Sequence, residues 1–551
     1  MSVMNGLEGF FESYYRLRPV NATFTGVHDY DDCLPDWSPE GLDAAAGEMR
    51  SLRTSLIGAP ADLRRVDDRD RELAIAFLDV QIAELACSHF QRANPSLALG
   101  EAAFGVISLM TRPFATASVR ARAATARLER IPMFLEGACR SMTDGIVDRW
   151  RTKTLRECDG VDHLLGAGIE RWIAVDAIPA PEALSLTHAA AQAAAAVAGF
   201  RTWLERAAPA PEARCAAGAD LFDLLLARGH WSERSRSDLL TEASSALDDA
   251  LVTLEEDAKA IAEGGWPEVQ RRLADAHPEV DDYLPSYQRL WEACRCLALE
   301  RDLVTWPVAP LRYVPIPPQT REAAPLLYYL VYRSPSPFDR LPVHDYVVTP
   351  ISEDLDPAEQ QRRLRATNTS VMKLNHVVHH GAIGHHVQNE FAYRGPSEIG
   401  RVAAVDCASR IGMFLGGTMA EGWACYATDL MDECGFLTPE ESVAQQHTRA
   451  RLLARAVVDV GLHQGTITFS DAVALYRDRI GMSDEAARGE ACKNSMFPGT
   501  AVMYWLGTDA IHRLRRERQR VEGSQFSLGR FHDRLLSFGS IPVPLIAQLF
   551  V

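Results

Sequence analysis

Between Leu374 and Gln388 the chain reads LNHVVHHGAIGHHVQ, which sets His376, His379, His380, His385 and His386 within two or three helical turns. The 551 residues hold sixteen histidines in all, so five in one short window is a concentration. Neutral imidazole is the commonest metal ligand, and five such rings beside Val377, Val378 and Ile383 are hard to satisfy as ordinary core; the cluster is expected to hold a metal. Residues four apart share a helix face, so His376 and His380 form the simplest ligand pair, with Val377 standing where an HExxH zinc site has its glutamate. His379 and His385 lie about 9 Å apart in rise along a straight helix. They can meet only if the helix breaks between them, and Gly381 and Gly384 would allow such a break.

Three downstream stretches could complete a site. In MAEGWACYA, Glu421 opens a helix expected over 418–434 and closed by Gly435. Among Ala420, Gly422, Trp423 and Ala424 a lone carboxylate is costly unless a metal or cation pairs with it, yet acids are also favoured at the exposed start of a helix. Over 444–465, His447, Arg451, Arg455, Asp459 and His463 recur every four residues while aliphatic residues fill most other positions. A helix apolar nearly all round is buried, so this stripe is either an internal salt-bridge network or an active-site wall. In EACKNSMFPGTAVMYWLG (490–507), Pro498 and Gly499 make a turn and Tyr504 follows on a helix, either as a donor to a developing oxyanion or as a packed aromatic.

The elements that must position these residues are mainly helices. Alanine- and leucine-rich stretches with helical periodicity run over 70–87, 117–130, 184–207 and 237–263. Proline-rich joints fall at 179–181, 209–211 and 307–318, and the last divides the chain into an N-terminal helical region, 1–306, and a C-terminal metal-binding catalytic region, 307–551, which are expected to form one compact unit together. Near that joint, 326–332 and 346–349 are short, rich in tyrosine, leucine and valine, and bounded by prolines, which predicts a small β-sheet bordering the site. Asp356 followed by Pro357 caps and opens a helix, and that helix or one directly after it carries the histidines.

Bulk composition narrows the partners. With 47% hydrophobic and 24% charged residues the chain is an ordinary globular protein, and its net charge of −17 repels phosphate backbones and anionic lipid. The short basic run Arg513, Arg515, Arg516, Arg518 and Arg520 reads as a solvated helix face. Neither nucleic acid nor membrane is expected as a partner: no window approaches a membrane span, and Met1 to Arg18 lacks the basic start and apolar stretch of a secretory signal. Eleven cysteines are scattered singly apart from Cys294 and Cys296, which are too close for the usual zinc spacing, so reduced thiols and a cytoplasmic location are expected. Oligomeric state leaves no trace in the sequence.

Taken together and in this order, HHGAIGHH (379–386), EGWACY (421–426), RAVVDVGLH (455–463), PGTAVMYWLG (498–507) and FHDRLLSFGSIPVPLI (531–546) resemble the bacterial domain-of-unknown-function family 885, which is grouped with the zinc metallopeptidases. RPVNATFTGVHDYDDCLPD (18–36) resembles the family's opening, so the likeness spans nearly the whole chain. The resemblance implies an elongated, mainly α metallopeptidase-like fold. It implies His379 and His385 as zinc ligands with Glu421 as the third, and His386 as the alternative second ligand. Asp459, His463 and Tyr504 would line the pocket, and Arg455 on the same stripe joins the candidate catalytic set.

Two positions depart from the family pattern. His380 replaces the glutamate that follows the first histidine, and Ile383 replaces the proline before Gly384. Loss of a base beside the attacking water typically costs ~10²–10⁴ in rate, which argues against ordinary peptidase activity. The expectation is a zinc-dependent enzyme, with iron or manganese as substitutes, that hydrolyses an amide or related bond in a small molecule or short peptide. His380, or His463 held by Asp459, would serve as the base. The alternatives are a non-hydrolytic metal enzyme (lyase, isomerase or cyclase) and a non-catalytic metal-binding protein.

Overall fold

The computed structural model describes residues 3–58, 60–326, 336–339, 344–352, 354–405 and 412–550. The chain is mainly helical with one small two-stranded sheet, as the periodicity predicts. It forms two compact units. One comprises Met1–Ala217 with Ile316–Leu341; the other is built from Gly218–Pro315, Pro342–Asp406 and Arg410–Val551. Residues 218–306, ahead of the long proline-rich joint, therefore belong with the histidine-bearing region.

In the first unit, helices Pro95–Thr111, Ala117–Ser141, Asp148–His163 and Ala180–Arg206 enclose a core of Leu99, Val106, Leu128, Leu135, Val161, Leu186 and Val197. Ala180–Arg206 is long and apolar enough by length and composition to cross a bilayer, contrary to the sequence expectation; here Leu186, Ala189, Ala193, Val197 and Leu204 pack into that core. The opening motif is organised by Arg127. This fully buried guanidinium donates to the carbonyls of Pro19, Tyr30, Cys33 and Gly105 and to the hydroxyls of Thr23 and Ser108. Five donors fixed in one plane tie the ends of these separate segments together and leave the buried charge well satisfied.

In the second unit the strands are Leu311–Pro315 and His344–Val348, paired in parallel with Tyr313 opposite Tyr346. The second matches the expectation at 346–349, but its partner comes from within the proline-rich joint. Of the other expected strand, 326–332, residues 327–332 lie outside the described residues.

The helices that carry the chemistry meet one another closely because glycines allow it. Gly422 of Gly417–Glu433 and Gly507 of Val502–Glu522 face each other: a Cβ on Gly422 would stand 2.6 Å from the Gly507 backbone, and one on Gly507 would stand 2.0 Å from the Thr418 carbonyl oxygen. Asp356 caps Pro357–Ala366 by accepting from the N–H groups of Ala358 and Glu359, as the Asp-Pro pair predicts. Asn368 then caps the segment that leads into the histidines.

Candidate metal centre

Met372–Gly381 is wound with i→i+5 hydrogen bonds, a wider turn than the α-helix and one frequent at functional sites. The helix breaks at Ala382–Gly384 and restarts as His385–Arg394. Both glycines are required by close approach. A Cβ on Gly384 would lie 1.8 Å from the His379 carbonyl oxygen, and one on Gly381 would lie 2.1 Å from the Tyr313 hydroxyl. A break in a buried helix strands carbonyl groups, and two indoles take them up. Trp291 donates to the Gly381 carbonyl at 2.7 Å, while Trp423 donates to the Ile383 carbonyl at 2.8 Å and to that of Gly384 at 3.2 Å.

The break brings His379 and His385 together, their ring centroids 4.9 Å apart and their planes perpendicular. His380 joins them: nitrogens of all three rings lie within 4.8 Å of one another. Glu421 reaches the same point from one turn inside Gly417–Glu433 rather than from its first turn, and it is buried. Its Oε2 stands 3.3 Å from His379 Nε2 and 3.7 Å from His385 Nε2, yet this shielded oxygen makes no hydrogen bond. Donor atoms held tetrahedrally at about 2.0–2.1 Å from one ion lie roughly 3.3–3.5 Å apart. The carboxylate oxygen at 3.3 and 3.7 Å from the two imidazole nitrogens is close to that spacing, so these three side chains could hold a divalent cation.

Electrostatics agree with that fit. Burial pushes His379 and His380 down, so both are neutral and able to donate a lone pair at neutral pH. The His380 Nδ1–H donates to the Asn375 carbonyl at 2.7 Å, which leaves the lone pair on Nε2.

The other expected residues go elsewhere. His376 Nδ1 pairs with the Tyr346 hydroxyl at 2.6 Å, and its carbonyl accepts from Tyr313 at 3.1 Å, so it braces the wide turn against the sheet. His386 donates from Nε2 to the Ala309 carbonyl at 3.1 Å, and its Nδ1 lies 3.3 Å from that of His344. His344 Nε2 continues to Glu390 at 3.2 Å, a carboxyl that burial pushes up. Both nitrogens of His386, the alternative ligand, are thus engaged away from the cluster.

The stripe on Pro439–His463 divides into structural and site-facing parts. His447 stacks on Trp266 and bonds Gln270 and the Ile480 carbonyl. Asp459 accepts from the backbone N–H groups of Gly499, Ala501 and Val502 at 2.8–3.0 Å, so it shapes the PGTA turn; burial pushes its carboxyl up to about 7 against those donors. His463 bonds the Asn494 carbonyl at 3.0 Å and stacks on Phe222. Arg455 is closer to the cluster and is held by Glu490 through two bonds of 2.6 and 3.0 Å while lying 5.3 Å over the Tyr504 ring. His532 of the FHD motif joins the Tyr426 hydroxyl at 2.8 Å to the Leu303 carbonyl, another brace rather than a ligand.

The family model described as bacterial protein of unknown function (DUF885) matches residues 19–549, so the chain belongs to that family. No curated protein matches it. Among the solved structures that share its fold are two described as putative lipoproteins. The one from Shewanella oneidensis, of unknown function, is 20% identical with a TM-score of 0.78 over 100% of both chains. The one from Colwellia psychrerythraea is 16% identical with a TM-score of 0.76 over 99% of this chain and 98% of that one. At such identities the likeness concerns the fold. It nonetheless overturns the cytoplasmic assignment, because the fold occurs in proteins so described. No disulfide joins the described cysteines, which does not decide a compartment.

Proposed function

We propose that this member of the family is a zinc-dependent hydrolase acting on an amide or related bond in a small molecule or short peptide. The observation that carries the reading is the bare Glu421 Oε2, 3.3 and 3.7 Å from two imidazole nitrogens and hydrogen-bonded to neither. The likeness of HHGAIGHH and EGWACY to zinc metallopeptidase motifs points the same way. Held by His379, His385 and Glu421, a divalent cation supplies polarisation of a carbonyl and an acidified water.

The chain's own residues do the rest. His380 takes a proton at Nε2, since Nδ1 is committed to the Asn375 carbonyl. It stands where the family has a glutamate, and imidazole can serve as a base near neutral pH. Tyr504, steadied by Arg455 above its ring, donates its hydroxyl proton in a hydrogen bond to the carbonyl oxygen as negative charge develops there.

A second reading has its own support. His380 lies within 4.8 Å of the other two imidazoles, so three histidines and Glu421 make four donors, enough to close a tetrahedral, non-catalytic site. Incubating zinc-loaded protein with a panel of N-acyl amino acids, dipeptides and esters, followed by mass spectrometry, separates the readings. Hydrolysis adds the mass of water; a lyase, isomerase or cyclase does not. Turnover falling ~10²–10⁴-fold in His380→Ala with the metal retained is the expected result. A fourfold-coordinated, inert site that loses affinity in His380→Ala would contradict it.

A further inference from the structure

Helices Gly417–Glu433 and Pro439–His463 run antiparallel, and their hydrogen bonds fix the register. Ser442 donates to Asp432 at 2.5 Å, Gln445 to Thr428 and Asp429 at 2.7 and 2.9 Å, and Arg449 to Asp429 at 2.6 Å. Arg451 and Arg455, four residues apart, share the other face of Pro439–His463, about half a turn round from those bonds, where Arg455 lies 5.3 Å over the Tyr504 ring. Arg455 bears on both Cys425 and His379, and Arg451 feels Cys425, Tyr504 and Glu490.

The two arginines differ in how they are answered. Glu490 neutralises Arg455 with a bidentate pair. Arg451 makes no hydrogen bond or ion pair among the described residues, and its Nε is shielded from solvent without a partner. A guanidinium does not shed its proton, and an unpaired one in a desolvated place is costly to keep. In a chain of net charge −17 an acid to pair with it would be easy to supply.

We propose that Arg451 is the binding group for a carboxylate carried by the substrate, which makes small carboxylic acids the substrate class of this centre. The inference rests on the metal-centre reading and adds a position to it: the acid group of a bound substrate lies about one helical turn, ~5–6 Å, along Pro439–His463 from Arg455 and its Tyr504 contact. With Arg455 neutralised, one net positive charge remains, which suits a planar monoanion taken bidentately better than a phosphate dianion.

The test uses full-length, zinc-loaded protein and calorimetric titration with 3-mercaptopropanoate and its neutral amide, 3-mercaptopropanamide. Both thiols are metal ligands; only the acid addresses Arg451. The acid is expected to bind at least ~10-fold tighter than the amide in the unaltered protein, with the gap closing in Arg451→Met and partly kept in Arg451→Lys. The melting temperature of Arg451→Met is expected to hold or rise, because an unanswered charge has gone; a brace would leave a weaker fold. Equal affinity for acid and amide, or a gap that survives Arg451→Met, overturns the proposal. If the amide fails to bind, the metal reading fails by itself. The carboxylate site is then judged with propanoate, which needs no metal: binding lost in Arg451→Met upholds it, and no binding to the unaltered protein overturns it.

Discussion

Trp423 donates its indole N–H to the Ile383 carbonyl at 2.8 Å, so the helix that carries Glu421 also pins the break that aims His385. The two halves of the donor set are therefore not independent: one side chain, two residues from the carboxylate, sets the approach of the imidazole. The tryptophan in EGWACY thus has a physical reason, which is to satisfy a carbonyl that the broken helix leaves without a partner.

Trp423→Phe tests that coupling. The ring volume is largely kept and the donor is lost, so stability falls by about 1–3 kcal/mol for the stranded carbonyl. Zinc affinity falls ~10–100-fold, as for other residues that orient a ligand. Competition with a chromophoric chelator measures the second effect and thermal unfolding the first; a stability loss with unchanged zinc affinity would detach Trp423 from the site.

Gly384→Ala drives a methyl group to 1.8 Å from the His379 carbonyl oxygen, so the backbone between the two histidines must move. The expected cost is about 1–3 kcal/mol or more, with zinc binding lost in the folded protein. Gly489→Ala is the control: nothing lies within 4 Å of the added carbon, so helix propensity predicts a change of at most ~1 kcal/mol, in the stabilising direction.

Asp459→Ala separates brace from catalyst. Three backbone N–H groups lose their acceptor, which predicts a loss of about 3 kcal/mol or more in stability. Zinc bound per folded molecule stays at its original value. Unchanged stability together with abolished turnover would instead assign Asp459 to the reaction.

In the first unit His28 bonds Asp31 at 2.9 Å and Asp339 at 2.8 Å and stacks on Phe114. Burial lowers its pKa, but the two carboxylates outweigh burial and raise it to about 9. A histidine raised in the folded state contributes stability that is complete below about 6.5 and lost as the pH climbs through about 9. After discounting for solvent screening, the loss between pH 6 and pH 9.5 is about 1–2 kcal/mol. Urea unfolding at the two pH values shows the difference, and His28→Gln removes it; an equal slope in the variant would trace it to other groups.

Much of the centre was legible in the sequence because its signals are local. Five histidines with glycines at 381 and 384 leave room for a broken helix, while a glutamate among apolar neighbours at 421 reads equally as a buried charge and as an exposed helix start. What could not be read depends on pairing across long distances. The side chains that claim His376 and His386 come from the sheet, Tyr346 and His344, and the partner strand at 311–315 sits in a stretch whose prolines mask it. The i→i+5 winding that turns His380 into the cluster has no periodicity a reader could recognise. The stripe on 439–463 is uniform in sequence and divided in space, since only its partners at 270, 490, 494 and 499–502 distinguish a brace from a site residue.

Elemental analysis of protein purified without added metal tests the central claim most directly, with His379→Ala and Glu421→Gln prepared alongside. The account predicts close to one equivalent of zinc per chain, or of iron or manganese in its place, and loss of most of it in both variants. A metal-free parent protein that folds normally, or a Glu421→Gln variant that keeps its full equivalent, would contradict it.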